Sequence, residues 1–122
     1  MSKRRILLVD DEVPLTRLLK RLLDDRYDVR VENRGSLALE AAREFRPDLI
    51  LLDLLMPDLS GREILVQIRS DPDLHEVRVV FLTAAMPDDR ARDEMGARSL
   101  DLWIAKPAMA AEVMERIDRQ LA

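Results

Sequence analysis

The sequence contains no cysteine, one histidine, three glycines and four aromatic residues. Without cysteine there is no disulfide scaffold. No apolar run approaches the ~18 residues of a membrane span, so no membrane insertion is expected. The opening segment Met1-Ser2-Lys3-Arg4-Arg5 leads into no secretory core, which points to the cytoplasm. Low-complexity linkers and internal repeats are absent. A formal charge of −4 comes without any Lys/Arg-rich block, which argues against a direct nucleic-acid surface and leaves small anions and metal ions open. What remains is 122 residues, 48% of them apolar. That is one domain, 1–122, long enough to bury roughly two-thirds of its unfolded surface without metals or disulfides as staples.

Short runs rich in Val, Ile and Leu alternate with segments of helical period, the pattern of parallel strands covered on both faces by helices. The runs are Ile6–Val9, Tyr27–Val31, Leu49–Leu52, Val77–Leu82 and Leu100–Ile104. Between the first two, Leu15, Leu18, Leu19, Leu22 and Leu23 recur at helical spacing behind Pro14, predicting one buried stripe. A second helix is predicted from the cap Ser36 through Leu37, Ala41 and Phe45, stopping before Pro47. The third opens with the capping box Ser60 to Glu63, buries Ile64, Leu65 and Ile68, and ends at Asp71-Pro72. The fourth, Asp88–Ala97, is weakly amphipathic with Ala91 and Met95 inward. In the fifth, Met109, Val113, Ile117 and Leu121 fall four apart. Five strand–helix units in so short a chain predict an α/β fold with a doubly wound five-stranded parallel sheet flanked by five helices.

In such a sheet every strand delivers its C-terminal end to one edge, where ligands bind. Strand one ends in Asp10-Asp11, with Glu12 following; strand three ends in Asp53, strand four in Thr83, and strand five runs into Lys106-Pro107. Carboxylates converging from neighbouring strands repel one another unless some stay protonated or a cation lies between them. Oxygen ligands without histidine or cysteine favour Mg2+, or Mn2+, over zinc. A phosphoryl group could then complete the coordination, with Lys106 and the Thr83 hydroxyl on its other oxygens. Asp53 ends a nearly all-apolar strand, where a charge is costly without a task, and is the candidate nucleophile. Asp10 and Asp11 would hold the metal. Asp11 and Glu12 could instead cap the following helix.

The segments Ile6-Leu7-Leu8-Val9-Asp10-Asp11-Glu12, Pro47-Asp48-Leu49-Ile50-Leu51-Leu52-Asp53-Leu54-Leu55-Met56-Pro57-Asp58-Leu59-Ser60-Gly61 and Lys106-Pro107 resemble the receiver domains of two-component response regulators. The likeness covers essentially the whole chain. Its separations are ordered too, with 42 residues from Asp11 to Asp53, 30 on to Thr83 and 23 on to Lys106. The resemblance implies strand order 2-1-3-4-5. It implies that Asp53 accepts a phosphoryl group from the phosphohistidine of a histidine kinase or phosphotransfer protein, with Asp10, Asp11, Asp53 and the Leu55 backbone carbonyl organising Mg2+. It implies that Lys106 pairs with phosphoryl oxygens and that the Lys106-Pro107 bond is cis. It further implies a switch in which Thr83 moves toward the phosphoryl group and the aromatic Trp103 turns inward behind it, repacking the helix-4/strand-5/helix-5 face for a downstream target or a homodimer. Such a chain is a signalling switch that catalyses only its own phosphorylation and dephosphorylation. Receivers more often carry tyrosine or phenylalanine at the place of Trp103, and Trp103 as plain packing is the other reading.

Other readings meet specific obstacles. Aspartate-nucleophile phosphohydrolases carry two acids two residues apart on the first strand, whereas Asp10 and Asp11 are adjacent. A receiver-shaped module that is never phosphorylated would have no use for all five site residues. His75 follows Asp71-Pro72 and reads as a solvated loop residue. Gly96-Ala97 lies ten residues before Lys106, a few more than usual in receivers, which predicts a remodelled loop after helix four. Leu55 and Ala85 stand two residues beyond site residues, where receivers control hydrolytic water, and neither can hydrogen-bond it through its side chain. The charges of Arg116-Ile117-Asp118-Arg119 suit either a dimer or a solvated helix face.

Overall fold

A computed structural model describes residues 3–122; Met1 and Ser2, the first positions of the N-terminal segment read above, lie outside the described residues. The elements follow one another as β1 (Arg5–Val9), α1 (Val13–Leu23), β2 (Asp28–Glu32), α2 (Ala38–Phe45), β3 (Leu49–Asp53), α3 (Gly61–Arg69), β4 (Arg78–Thr83), α4 (Asp89–Glu94), β5 (Trp103–Ala105) and α5 (Ala110–Leu121). Single 3-10 turns, Gly35–Leu37 and Leu100–Leu102, precede α2 and β5. The five strands form one parallel sheet in the order β2-β1-β3-β4-β5. Order 2-1-3-4-5 puts the reversal of winding between β1 and β3, whose C-terminal ends therefore open onto a crevice.

Alternation along each strand divides the core in two. Leu7, Val9, Ile50, Leu52, Val79, Phe81 and Trp103 face α2 and α3, meeting Ala38, Ala41, Ala42, Ile64, Leu65 and Ile68. Ile6, Leu8, Leu49, Leu51, Val80, Leu82 and Ile104 face α1 and α5, meeting Leu19, Leu23, Val113 and Ile117. β3, central in the sheet, is buried along its whole length. Burying one such Leu or Ile side chain stabilises by about 1.5–3 kcal/mol, so the sheet centre is the least deformable part of the molecule.

Several expectations need correcting. The α1 stripe is narrower than its leucine spacing: Leu19 and Leu23 are buried, while Leu18 and Leu22 are 46% and 37% exposed. Thr16 occupies the inward position instead, because its hydroxyl meets the Asn33 side chain at the end of β2. Ser36 does not cap α2; the helix begins two residues later, after the 3-10 turn, and the Ser36 N–H is taken by Asp58. Arg46, left-handed at φ 53°, ends α2 before Pro47. The Ser60 hydroxyl accepts from the Glu63 N–H and starts α3. In α4 the buried side chain is Arg92, with Ala91 and Met95 only partly covered. The predicted fifth strand loses its first half to the 3-10 turn, leaving Trp103–Ala105. The loop before it turns at Gly96, where φ is +68°.

Tyr27 ties the turn before β2 to α5. Its hydroxyl donates to Asp118 on α5, and the same carboxylate accepts from Arg26 at 2.7 Å. Burial of the phenol, reinforced by the Asp118 acceptor and its charge, raises it to about 12. A raised folded-state value means this contribution is complete below the ordinary tyrosine range near 10 and is lost as pH climbs toward 12. Urea unfolding is expected to show that loss between pH 10 and 12 in the wild type and not in Tyr27→Phe, with the variant about 1 kcal/mol less stable at pH 7.

Candidate functional site

β1 and β3 are neighbours with Val9 opposite Leu52, so the residues that follow, Asp10 and Asp53, emerge side by side at the same sheet edge. Both are almost fully buried, at 4% and 2% exposure, and Asp11 beside them is exposed. One carboxylate oxygen from each of Asp10, Asp11 and Asp53 lies within 4.8 Å of the others. On the next strand out, Thr83 ends β4 fully buried, its hydroxyl oxygen accepting from the Ala85 N–H at 3.2 Å. Across the β4–β5 pair the Lys106 N–H donates to the Thr83 carbonyl at 2.8 Å, and the Lys106-Pro107 peptide is cis.

Lys106 reaches back over the strand ends. Its ammonium lies 2.8 Å from Asp10 Oδ2 and 3.2 Å from both Asp53 Oδ2 and Glu12 Oε2. Glu12 stands at the N-cap of α1 without capping through its side chain, because that carboxylate goes to Lys106. The acids are held by the backbone as well: Asp10 Oδ1 accepts from the Glu12 N–H at 2.9 Å, and Asp53 Oδ1 from the Leu55 N–H at 3.1 Å. Asn33 steadies the turn from below, donating to the Asp10 carbonyl at 2.7 Å and to the Thr16 hydroxyl at 3.0 Å. Neither Asn33 nor Thr16 carries a sequence signal for this role, since a polar residue after a strand or inside a helix has many uses.

Desolvation governs the electrostatics here. Burial raises Asp53 to about 6, and the Asp10 charge adds to it against the pull of the Leu55 N–H and Lys106. Asp10 is raised too, again chiefly by burial. On Lys106 burial acts the other way, toward a lower value, but its close contacts with the charged carboxylates of Asp10 and Asp53 outweigh it and the ammonium is held above its ordinary range. The carboxylates outnumber the single ammonium. Asp10 Oδ2 is also left without a hydrogen-bond partner, because Lys106 approaches it closely but outside hydrogen-bond angles. A buried oxygen so placed, in a set of donors that are all oxygen, fits a hard divalent cation.

The loop after Asp53 is packed tightly. A Cβ on Gly61 would sit 2.6 Å from the Asp53 carbonyl oxygen, so only glycine lets α3 start this close to the acceptor strand. Leu55 is 53% exposed next to Asp53, and Ala85 is exposed beyond Thr83. Trp103 is 2% exposed: its ring stacks on Phe81 with centroids 4.2 Å apart, and its indole N–H donates to the Ala97 carbonyl at 2.6 Å. The charges at the end of α5 are engaged within the chain. Arg116 donates to the carbonyls of Leu100, Asp101 and Trp103, Arg119 pairs with Asp101 and Glu115, and Asp118 holds Arg26. His75 is exposed in the turn before β4, at the opposite edge of the sheet, with Nδ1 2.9 Å from the Pro72 carbonyl.

Comparison with known proteins gives one answer. The family model for the response regulator receiver domain matches residues 6–118. The DNA-binding response regulator MtrA of Mycobacterium tuberculosis is 36% identical over 121 residues, covering 98% of this chain and 51% of that protein. This chain thus spans about half the length of the MtrA relatives it matches. The polar-differentiation response regulator DivK of Brucella anthropi is 32% identical over 120 residues, covering 97% of this chain and 96% of that one. Among solved structures, the Vibrio cholerae chemotaxis protein CheY4 superposes with a TM-score of 0.84 at 24% identity, over 97% of this chain and 98% of that one. The N-terminal domain of a response regulator receiver protein from Methanoculleus marisnigri gives 0.76 at 32%, over 97% and 96%. With acids from β1 and β3 gathered under one lysine at the sheet edge, and a family match over nearly its full length, the chain belongs to the receiver domains of two-component response regulators.

Proposed function

We propose that Asp53 is the phosphoryl acceptor of this receiver and that the whole of 1–122 works as one phosphorylation-driven switch. The observation that carries this reading is the shared Lys106 ammonium, in contact with Asp10 and Asp53 at the end of two buried strands. In the reaction an Asp53 oxygen forms the new O–P bond as the P–N bond of a phosphohistidine breaks, and the departing imidazole nitrogen keeps the electron pair and takes up a proton. Lys106 neutralises charge on the transferring oxygens, and the Leu55 N–H fixes the rotamer of the attacking carboxylate. Asp10, Asp11, Asp53 and the Leu55 carbonyl would hold Mg2+ or Mn2+, which when bound supplies positive charge against the phosphoryl oxygens. Beside the site, a largely apolar hollow of about 350 Å³ between α1 and α5, bordered by Leu15, Pro107 and Val113, gives a donor protein room to approach.

In this reading the donor is a histidine kinase or phosphotransfer protein, and the domain has no enzymatic turnover beyond its own phosphorylation and dephosphorylation. Thr83 moves to the phosphoryl group, and Trp103 passes the change to the α4–β5–α5 face, where a downstream target or a second copy of the chain is met. The assigned compartment is the cytoplasm. Among the described residues no helix is long and apolar enough to cross a membrane.

Incubation with Mg2+ and a small phosphodonor, read by intact mass, is expected to give one phosphoryl adduct in the wild type and none in Asp53→Asn; turnover of donor without an adduct would overturn the reading. Because Asp53 is raised, its ionisation costs stability, and that cost sets in as pH rises from about 4 through about 6. Asp53→Asn is therefore expected to melt at a higher temperature than wild type at pH 7 in metal-free buffer, and at the same temperature or lower at pH 4.

Leu55 shields the acceptor without offering a group that can orient water. The aspartyl phosphate is expected to be long-lived, and Leu55→Asn to shorten its lifetime severalfold with the phosphorylation rate little changed. Phosphate release from the purified adduct measures this directly, and equal lifetimes would count against it.

A further inference from the structure

Seven residues, 54–60, join β3 to α3 without regular structure, and they carry the backbone at Leu55 past the acceptor. Such a connection holds a fixed shape only where something ties it. At its root the Leu54 N–H donates to the Leu82 carbonyl at 3.4 Å and the Gly61 N–H to the Leu54 carbonyl at 2.9 Å. At its middle Met56 is buried in the core, and Pro57 has its φ set by its ring. Beyond Pro57 stands Asp58, exposed, with a carboxylate that leaves its own loop altogether.

The two Asp58 oxygens accept from the backbone of a different connection. Oδ1 takes the Gly35 N–H at 3.2 Å and Oδ2 the Ser36 N–H at 2.9 Å, the first two donors of the 3-10 turn before α2. Those amides would otherwise lack partners at the start of the turn. A second observation meets the first at the same place: a Cβ on Gly35 would lie 2.6 Å from the Leu59 carbonyl oxygen, so the turn is seated directly on this loop. The two hydrogen bonds hold Asp58 well below the usual carboxylate range, so the strut is charged at any ordinary pH.

We propose that Asp58 is a positioning residue for the metal-binding loop, fixing the backbone around Leu55 by bracing it against the Gly35–Leu37 turn. It touches neither acceptor nor phosphoryl group. The inference rests on the reading of Asp53 and the Leu55 carbonyl given above. Removing the brace frees the loop between Met56 and Ser60, and the neutral backbone ligand is then held less firmly than the side-chain carboxylates.

Mn2+ affinity, followed by loss of the free-ion electron paramagnetic resonance signal with no phosphodonor present, tests this without relying on phosphorylation. Asp58→Ala is expected to weaken Mn2+ binding about tenfold, the scale on which outer supports of a metal site act. Asp58→Asn keeps one acceptor oxygen, so a smaller shift in the same direction is expected, and it carries the test should Asp58→Ala fail to fold. Arg43→Ala is the control for simple loss of a tie, because it removes the 2.7 Å Arg43–Asp71 pair that joins α2 to the end of α3 away from the site; its Mn2+ affinity is expected to stay within twofold of wild type. Wild-type affinity in Asp58→Ala, or an equal loss in Arg43→Ala, would overturn the role of Asp58 while leaving the acceptor assignment intact. A wild-type chain that takes up neither Mn2+ nor a phosphoryl group would remove both.

Discussion

One ammonium group set among carboxylates at the end of buried strands is the constraint around which this domain is organised. Two unit charges about 4 Å apart interact by about 4 kcal/mol at the effective dielectric of a protein rim. Asp10 and Asp53 repel on that scale and are drawn to Lys106 on the same scale. Both are held above the usual carboxylate range, chiefly by desolvation, with the Glu12 charge adding at Asp10 and the Asp10 charge at Asp53 against the pull of the lysine. The site is therefore a store of unfavourable charge kept in place by strands that cannot move. β3 lies in the middle of the sheet and is buried throughout, so the backbone that carries Asp53 is fixed by the core while its carboxylate meets the rim beside exposed Asp11.

The same logic explains the far side of the sheet. β5 has only three residues, and its backbone and that of the preceding turn cannot be satisfied by a ladder alone. Side chains take over the work. Arg92 donates to the carbonyls of Pro87 and Arg98, Trp103 to that of Ala97, and Arg116 to those of Leu100, Asp101 and Trp103. That is why Arg92 is buried in α4, and why Arg116 and Arg119 are not free charges on α5. The segment from Gly96 to Leu102 is held by these long side chains together with short-range backbone bonds, the Ala97 N–H to the Arg92 carbonyl and the Leu102 N–H to the Ser99 carbonyl, and Ala97 is buried in the core.

How much of this is legible in the sequence depends on whether a residue acts through pattern or through a single contact. The strands of the sheet centre are apolar runs with no helical alternative of sufficient length, and the acids that follow them stand out because charge at a buried strand end is rare. Those features can be read directly. Ser36 looks like a helix cap because the residue type is right, yet the donor it offers is claimed by Asp58, 22 positions away. Leu18 and Leu22 match the helical period of Leu15 and Leu19, but the face that the sheet and α5 cover is narrower than the stripe. Trp103 reads as strand, and its neighbours Leu100 to Leu102 do as well by composition; the 3-10 turn there follows from the Ser99 side chain accepting from the Asp101 N–H, a local bond that periodicity does not see. Asn33 and Asp58 act through contacts distant in sequence, and Arg92, beside its local pair with Asp89, through the backbone carbonyls of Pro87 and Arg98, none of which periodicity reveals.

The geometry also places the rim and the far face in mechanical contact. Phe81 and Thr83 lie two apart on β4, so they share the face that packs toward α3. Thr83 holds the Lys106 backbone at one end of this arrangement, and Phe81 stacks on Trp103 at the other. Trp103 in turn fixes the Ala97 carbonyl in the loop that ends α4. A shift of Thr83 toward new charge at Asp53 would have to be accommodated by a strand whose next inward side chain is already in close contact with the indole. The indole already lies in the core, stacked on Phe81 and hydrogen-bonded to the Ala97 carbonyl, so a shift at Thr83 would reach the loop that ends α4 through contacts that are already made.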